Sequence, residues 1–185
     1  RQERMNALHS PAHFELDESF TDFENDPDLW VAIVTGRGDK AFSAGNDLKW
    51  QAEGHVTGRP DSGFAGIVSR YTMQKPLIAA VNGLAMGGGF EVALACDNII
   101  AAENAFFALP EPRVGLAALA GGLHRLSRQI PMKQAMGMIL TGRRVMAEEG
   151  YKLGFVTEVV PEGDALAGSL RWAEQILECS PVSIR

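Results

Sequence analysis

Short apolar runs alternate with longer amphipathic stretches along this chain. The runs are continuous and partly β-branched, which is typical of strands covered on both faces. The predicted strands are residues 30–35, 77–81, 97–102, 105–109 and 155–160, with a further short strand at the start of 40–48. The predicted helices are residues 13–24, 64–73, 121–130, 132–140, 147–153 and 163–178, one reaching about residue 53, and one continuing through residue 96. Such alternation predicts an α/β fold with right-handed parallel crossovers.

The chain is organised around residues 76–91, where a buried strand runs into three glycines and a helix then begins. Gly87, Gly88 and Gly89 would weaken any helix that contains them. Two reasons for them remain open. Without side chains, the unpaired N–H groups of a helix start can approach a ligand closely. The glycines can equally allow tight packing of the strand against the helix.

Composition restricts the class of protein. A chain of 185 residues is long enough for one domain with a substantial core, and a net charge of −6 with pI near 5.2 argues against nucleic acid as a partner. No apolar stretch is long enough to span a bilayer, and no secretory signal is visible, so we expect no membrane partner. Cys96 and Cys179 lack metal-ligand or CxxC spacing, which predicts free thiols and a cytoplasmic location.

Several common site motifs fail on context. Residues 36–41 fit G-x-G-x-x-A, but residues 42–45 predict a strand and turn instead of the required helix, so we interpret 36–41 as a hairpin-like turn. No Gly-Lys-Ser/Thr closes the glycine cluster, and no G-x-S-x-G occurs. The histidines lie in unrelated settings and are interpreted as surface or packing residues: His9, His13, His55 and His124.

Two carboxylates stand out by position. Glu91 lies in the first turn after the glycines, and Glu111 follows an apolar strand between Pro110 and Pro112. Either could also be an ordinary solvated acid at the end of an element, so position alone leaves both interpretations open.

Three segments together resemble the crotonase (enoyl-CoA hydratase/isomerase) superfamily. They are residues 41–49, 79–97 and 107–111, which read AFSAGNDLK, AAVNGLAMGGGFEVALACD and FALPE. Residues 140–144 (LTGRR) and 154–156 (GFV) resemble the family's downstream signature, so the resemblance covers nearly the whole chain. Residues 45–49 (GNDLK) and 108–112 (ALPEP) look closest to carnitinyl-CoA dehydratase-like members.

The resemblance implies a fold and an assembly. The expected fold is α/β and ClpP/crotonase-like, a spiral of stacked ββα units with C-terminal helices, as a single domain over residues 1–185. The family's first strands and last helices are expected to be missing from this stretch. Family members form trimers or pairs of trimers and need no metal or redox cofactor, since coenzyme A belongs to the substrate.

The resemblance also implies a mechanism. Family members bind an acyl-CoA thioester and stabilise its enolate with two backbone N–H groups, which match Asn46 and Gly88 here. A side chain at Gly88 is expected to crowd the thioester, and the helix start adds positive potential to the same place.

Glu91 and Glu111 match the two acids of the family's hydratase branch. We expect the helix start to keep Glu91 ionised, so that it activates water, and apolar neighbours to keep Glu111 neutral, so that it protonates the α-carbon. The implied function is an acyl-CoA hydratase or dehydratase. A Δ3-Δ2-enoyl-CoA isomerase and a non-catalytic acyl-CoA-binding paralogue remain alternatives.

Coenzyme A contacts also carry over from the resemblance. The matching residues are Arg4, Met5, Ala44, Asp47, Leu48, Lys49 and Gly87. Lys49 can also be interpreted as a solvated helix lysine. Residues 115–120 (GLAALA) depart from the Pro-Gly loop of many hydratases, and residues 54–63 predict a flexible polar loop, so the acyl group stays open.

Overall fold

The computed structural model describes residues 1–184, and their strands form two four-stranded sheets. The first sheet has the order β1 (Ala32–Thr35), β3 (Leu77–Val81), β5 (Asn98–Ala102) and β8 (Glu158–Val160), all parallel. The second has the order β2 (Ala41–Ser43), β4 (Leu84–Met86), β6 (Phe106–Ala108) and β7 (Val145–Met146), parallel except for the pair β6–β7.

Successive strand pairs contribute one strand to each sheet before a helix follows. The units are β1–β2 with α2 (Leu48–Ala52), β3–β4 with α3 (Gly88–Ala95), and β5–β6 with α4 (Gly122–Gln129). The remaining helices are α1 (Ser10–Asn25), α5 (Met132–Thr141), α6 (Ala147–Leu153) and α7 (Ala165–Leu177). The predicted spiral of ββα units is confirmed.

Strand β3 is buried on both faces, as its continuous apolar sequence predicts. Leu77, Ala79 and Val81 join the main core, which also receives α3. The alternate residues Ile78 and Ala80 pack in a second cluster with α7. Side chains on a strand alternate between its two faces, so β3 joins the two cores. Strand β3 therefore fixes the position of the segment that leads to α3.

The predicted helix over residues 64–73 is wrong. Only a single 3₁₀ turn, Phe64–Gly66, forms there, because Ala65 and Gly66 adopt left-handed backbone angles with φ of 56° and 67°. A side chain at Gly66 would collide with the backbone of Asp17 in α1. Tight packing against α1 therefore replaces the helical conformation.

Two short strands escaped prediction, and one turn was misinterpreted. Strand β3 ends at Val81 and the chain turns into β4 before it reaches the glycines, so the predicted direct run from strand to glycines is wrong. Strand β7 has two residues, too few to show a period. Residues 36–40 do form a turn, but it is no hairpin because β1 and β2 belong to different sheets.

Both cysteines are free thiols, Cys96 buried and Cys179 exposed. Among residues 1–184, no helix combines the length and the apolar character needed to cross a membrane. Nor do these residues contain a cluster of three or more side chains able to hold a metal ion.

Candidate active site

The start of α3 presents a backbone N–H beside the end of β4. Gly87 has φ of 53° and ψ of −125°, and its N–H donates to the carbonyl of Ala108 in β6 at 2.9 Å. Gly88 is the first residue of α3, so its N–H has no acceptor within the helix. The pairing of β4 with β6 thus orients the Gly88 N–H group.

The loop after β2 lies against this helix start. Gly45 has φ of 83°, and a methyl group there would lie 2.6 Å from the carbonyl oxygen of Met86 and 2.8 Å from the nitrogen of Gly88. Asn46 bridges to Leu8: the Leu8 N–H donates to Gly45 and the Asp47 N–H donates to Leu8. In a parallel bridge these two bonds leave the N–H of Asn46 itself on the opposite side. The structure thus brings the Asn46 and Gly88 segments together.

Packing explains why residue 88 is glycine. A methyl group there would lie 2.5 Å from Cζ and 2.6 Å from Cε1 of the buried Phe64 ring. A side chain at Gly89 would collide with the carbonyl oxygen of Ser43. The sequence interpretation gave crowding of a thioester as the reason at Gly88, whereas the structure supplies a protein contact that already requires glycine. Tight packing, one of the two open explanations, is therefore confirmed at Gly88 and Gly89, and access of a ligand to their N–H groups stays a prediction.

Glu91 is buried in the first turn of α3, with 3% of its surface exposed. Its Oε1 accepts a hydrogen bond from the Gly122 N–H at 2.8 Å. Burial, with a further contribution from the charge of Glu111, raises the pKa of Glu91 to about 7. This direction is opposite to the expected one, because the cost of burying the carboxylate exceeds what the helix start offers. The hydrogen bond from Gly122 and the charge of Arg59 lower the pKa only in part.

Glu111 begins a short 3₁₀ turn, Glu111–Val114, which is separated from the end of β6 by Leu109 and Pro110. Its Oε1 lies beside the backbone of Gly87, since a methyl group at Gly87 would be 2.9 Å away from that oxygen. Its Oε2 is buried and has no hydrogen-bond partner in the described part of the chain. Burial raises the pKa of Glu111, in the expected direction.

Both carboxyl groups lie at the start of α3. Glu111 lies against Gly87, the residue before the Gly88 N–H, and Glu91 lies one helical turn further along α3. The charge of Glu111 contributes to the raised pKa of Glu91, so the two groups influence each other's ionisation. Chemically, the pair can hold one acid and one base close together.

Most residues matched to coenzyme A contacts come from two segments, 4–5 and 44–49, and Gly87 precedes α3. The N–H of Ala44 donates to the carbonyl of Met5 at 2.9 Å, which places the two segments side by side. The exposed members are Arg4, Met5, Leu48 and Lys49.

Asp47 differs from these exposed members because it is buried and makes contacts within the protein. It accepts the N–H of Trp50 at 3.0 Å as the cap of α2, and it pairs with Arg1 at 2.8 Å. Burial would raise the pKa of Asp47, but the Trp50 N–H and the Arg1 guanidinium outweigh burial and lower it. Asp47 therefore holds the loop in shape, a function that the resemblance alone did not indicate.

A cavity of about 330 Å³ opens beside Asn46. Its lining includes His9, His13, Asn46, Trp50, Thr57 and Arg59. Sequence reasoning classed the histidines as surface or packing residues and found no use for the 54–63 loop. His13 is indeed buried, at 2% exposure, but it also forms part of this wall. In the sequence, the four-residue spacing of His9 and His13 is the feature that could have indicated that both lie on one face at the start of α1.

Comparison with known proteins agrees with this architecture. The family model for enoyl-CoA hydratase/isomerase matches residues 1–185. A carnitinyl-CoA dehydratase of Salmonella typhi is 44% identical over 186 residues, covering 98% of this chain and 70% of the relative.

Solved structures give the same result. A carnitinyl-CoA hydratase from Mycobacterium avium superposes with a TM-score of 0.95 at 41% identity, covering 100% of this chain and 71% of that one. An enoyl-CoA hydratase from Bacillus anthracis superposes with a TM-score of 0.88 at 34% identity, covering 100% and 72%. The chain belongs to the enoyl-CoA hydratase/isomerase family and has the crotonase fold.

Proposed function

We propose that this protein is an acyl-CoA hydratase or dehydratase, which adds water to an enoyl-CoA thioester or removes it from a 3-hydroxyacyl-CoA. The observation that carries the proposal is the pair Glu91 and Glu111, two carboxyl groups with raised pKa beside the adjoining Asn46 and Gly88 backbones. Addition of water across a double bond requires an acid and a base at once, and this pair supplies both.

The two backbone N–H groups would stabilise the enolate. During addition of water at the β-carbon, negative charge develops on the thioester oxygen. The N–H groups of Asn46 and Gly88 would donate to that oxygen, and loss of one such donor typically costs about 3–4 kcal/mol of barrier lowering. The positive end of α3 acts at the same place because Gly88 is its first residue.

The hydrogen bonds favour one division of roles between the acids. Oε1 of Glu91 accepts an N–H from Gly122, which favours the carboxylate form, whereas Oε2 of Glu111 has no partner within residues 1–184 and is available to carry a proton. With one proton on the pair, Glu111 would protonate the α-carbon while Glu91 takes a proton from the attacking water. In dehydration, Glu111 takes the α-proton and Glu91 protonates the departing hydroxyl group.

Water addition involves no net oxidation, so the proposed reaction needs no redox cofactor, and we propose that the two backbone N–H groups stabilise the enolate without a metal ion. A trimer or a pair of trimers is the assembly we propose. Exposed apolar side chains on neighbouring elements support self-association: Val114, Leu116, Leu119, Met132 and Leu140. The unpaired Cys96 and Cys179 support a reducing, cytoplasmic compartment.

Glu111→Gln tests the proposal. With crotonyl-CoA as substrate, loss of absorbance of the conjugated thioester measures hydration, and we expect the rate to fall by about 10²–10⁴-fold. Glu174→Gln is the matched control because Glu174 is exposed on α7, and it should retain the wild-type rate. Hydration at an undiminished rate in Glu111→Gln would refute the two-acid mechanism.

The alternatives predict other outcomes. An isomerase would shift the double bond of a Δ3-enoyl-CoA without forming a hydroxyacyl product and would tolerate Glu91→Gln. A non-catalytic paralogue would bind acyl-CoA and turn over neither enoyl- nor hydroxyacyl-CoA.

A further inference from the structure

We propose that the cavity beside Asn46 receives the acyl tail of the thioester and that Arg59 selects tails bearing a carboxylate over tails bearing a quaternary ammonium group. This inference rests on the proposed function, since it concerns the substrate of the same site. It also separates this chain from relatives named for carnitinyl-CoA, whose acyl group carries a trimethylammonium cation.

The cavity adjoins the reacting centre through shared residues. Asn46 contributes to its wall and also lies in the loop beside the Gly88 N–H. The Phe64 ring connects the two places: it fills the space next to Gly88, lies 4.4 Å from the His13 ring, and has Arg59 above it at 5.3 Å. The charge of Arg59 also lowers the pKa of Glu91, so Arg59 is close enough to act electrostatically on that carboxyl group. A tail extending past Asn46 would therefore meet Arg59.

Arg59 faces the cavity without a neutralising partner. Among the described residues, it forms no ion pair or hydrogen bond, and no carboxylate lines the cavity. The nearest acid in sequence, Asp61, is exposed, does not line the cavity and forms no ion pair with Arg59, while Asp47 pairs with Arg1 and Glu53 with His55 at 3.4 Å. A carboxylate on the tail would gain this charge as a partner, whereas a cation would be repelled.

The loop that carries Arg59 is fixed to α1. Oγ of Ser10 donates to the carbonyl of Gly58 at 2.8 Å and accepts the N–H of Gly58 at 2.5 Å. This pair of bonds fixes the backbone next to Arg59, and the contact with Phe64 directs the guanidinium over the ring. The charge is therefore held at the cavity, although the side chain itself is exposed.

His13 adds a buried donor to the same wall. Its Nδ1 accepts the N–H of Ala65 at 3.1 Å, which places the ring proton on Nε2. Burial, and then the charge of Arg59, lower the pKa of His13 to about 4, so the ring stays neutral near pH 7. The Nε2–H has no acceptor within the described chain, and a carboxylate oxygen of the substrate would supply one.

Trp50, which lines the cavity, does not present an open aromatic face to a cation. A quaternary ammonium group is bound best by open aromatic faces. His55 stacks on Trp50 with ring centroids 4.6 Å apart and an angle of 18°, and His9 meets the same indole edge-to-face at 5.4 Å. These contacts occupy the indole, and Phe64 is already covered by Arg59 and His13.

The test compares three thioesters that differ only in the group on the fourth carbon. They are glutaconyl-CoA with a carboxylate, crotonyl-CoA with hydrogen, and crotonobetainyl-CoA with trimethylammonium. We expect kcat/KM to fall in that order, with the carboxylate favoured over the cation by at least about tenfold, or about 1.4 kcal/mol. Arg59→Gln should reduce this ratio by at least about tenfold, mainly through KM, because it removes an interaction made before the chemical step.

Arg144→Gln is the matched control. Arg144 also lies over a phenylalanine ring, Phe106 at 4.7 Å, but it does not line the cavity, so its removal should leave the ratio unchanged. A wild-type preference for the cation, or a ratio that Arg59→Gln leaves unchanged, would overturn the inference.

Binding measurements keep the inference separate from the proposed function. Glutaryl-CoA, butyryl-CoA and γ-butyrobetainyl-CoA are saturated and cannot be hydrated, so calorimetric titration gives their Kd values directly. If no enoyl-CoA is turned over, the proposed function fails, and the Kd values for wild type and Arg59→Gln still decide the inference. If crotonyl-CoA is hydrated but the Kd values are indifferent to tail charge, the inference alone fails.

Discussion

Replacing Glu91 with glutamine should change how the stability of this protein depends on pH. Burial raises the pKa of Glu91 from 4.5 to about 7, and only 3% of the residue is exposed. The folded state therefore binds this proton more tightly than the unfolded chain does. The associated stability is fully present below about pH 4.5 and is lost as the pH rises through about 7. At 1.36 kcal/mol per pH unit, the loss is about 3 kcal/mol.

Glutamine removes the titration but keeps much of the local structure. Its side-chain oxygen can still accept the Gly122 N–H, which bonds to Oε1 of Glu91 at 2.8 Å in the wild type. The free energy of unfolding should therefore favour the variant by a margin that grows by about 3 kcal/mol between about pH 4 and pH 8. At alkaline pH the variant should be more stable than the wild type, although it should be inactive as a hydratase.

Urea unfolding across this pH range measures the effect, and the wild-type curve has to be subtracted at each pH. The subtraction is needed because His13 titrates in an overlapping window with the opposite sign. Glu174→Gln, at an exposed position, should give a nearly flat difference. A similarly flat difference for Glu91→Gln would refute the reasoning, since it would mean that burial does not penalise the Glu91 carboxylate.

The remaining predictions concern His13 and Gly88. Burial lowers the pKa of His13 from 6.5 to about 4, so the stability that neutral His13 provides is present above about pH 6.5 and is lost as the pH falls through about 4. His13→Asn can still accept the Ala65 N–H, and it should remove about 3 kcal/mol of this loss of stability in acid. Urea unfolding at successive pH values measures the change. Gly88→Ala would press on the Phe64 ring and should lower the free energy of unfolding by about 1–3 kcal/mol, whereas Gly137→Ala, in open space on α5, should not destabilise. Denaturation midpoints check this, and equal stability of Gly88→Ala and wild type would contradict the assigned contact.

The sequence predicted the parts of the fold that depend on local pattern. Strand β3 was visible because every one of its residues is buried, and α3 because glycines and an acid mark its start. Helix α7 was found within two residues of its bounds because its pattern is long. The resemblance to a known family identified the segments around Asn46 and Glu111 as site candidates. That both segments lie beside the start of α3 could be seen only in the folded chain.

What escaped prediction depends on contacts between distant residues. Ala65 adopts a left-handed backbone because α1 presses on the neighbouring Gly66, and nothing in residues 64–73 indicates this. The contact of Phe64 with Gly88 joins two segments far apart in sequence, so the sequence alone could not show that packing against this ring already requires glycine at residue 88. Arg59 lies in a polar loop, and only the folded structure places that loop at a cavity wall.

The ionisation of Glu91 shows how burial and a helix start compete at one carboxyl group. An acid in the first turn of a helix gains about 0.3–1 kcal/mol from the helix dipole. The raised pKa corresponds to about 3 kcal/mol in the opposite direction, so burial exceeds the dipole several-fold. The same burial that makes Glu91 costly for folding raises the pKa of Glu91 to about 7, and burial also raises the pKa of Glu111, so both groups hold a proton more readily near neutral pH. If both acids were ionised, no proton would be available for the α-carbon. The burial that destabilises the folded protein at Glu91 is thus the same burial that makes a proton available for the proposed reaction.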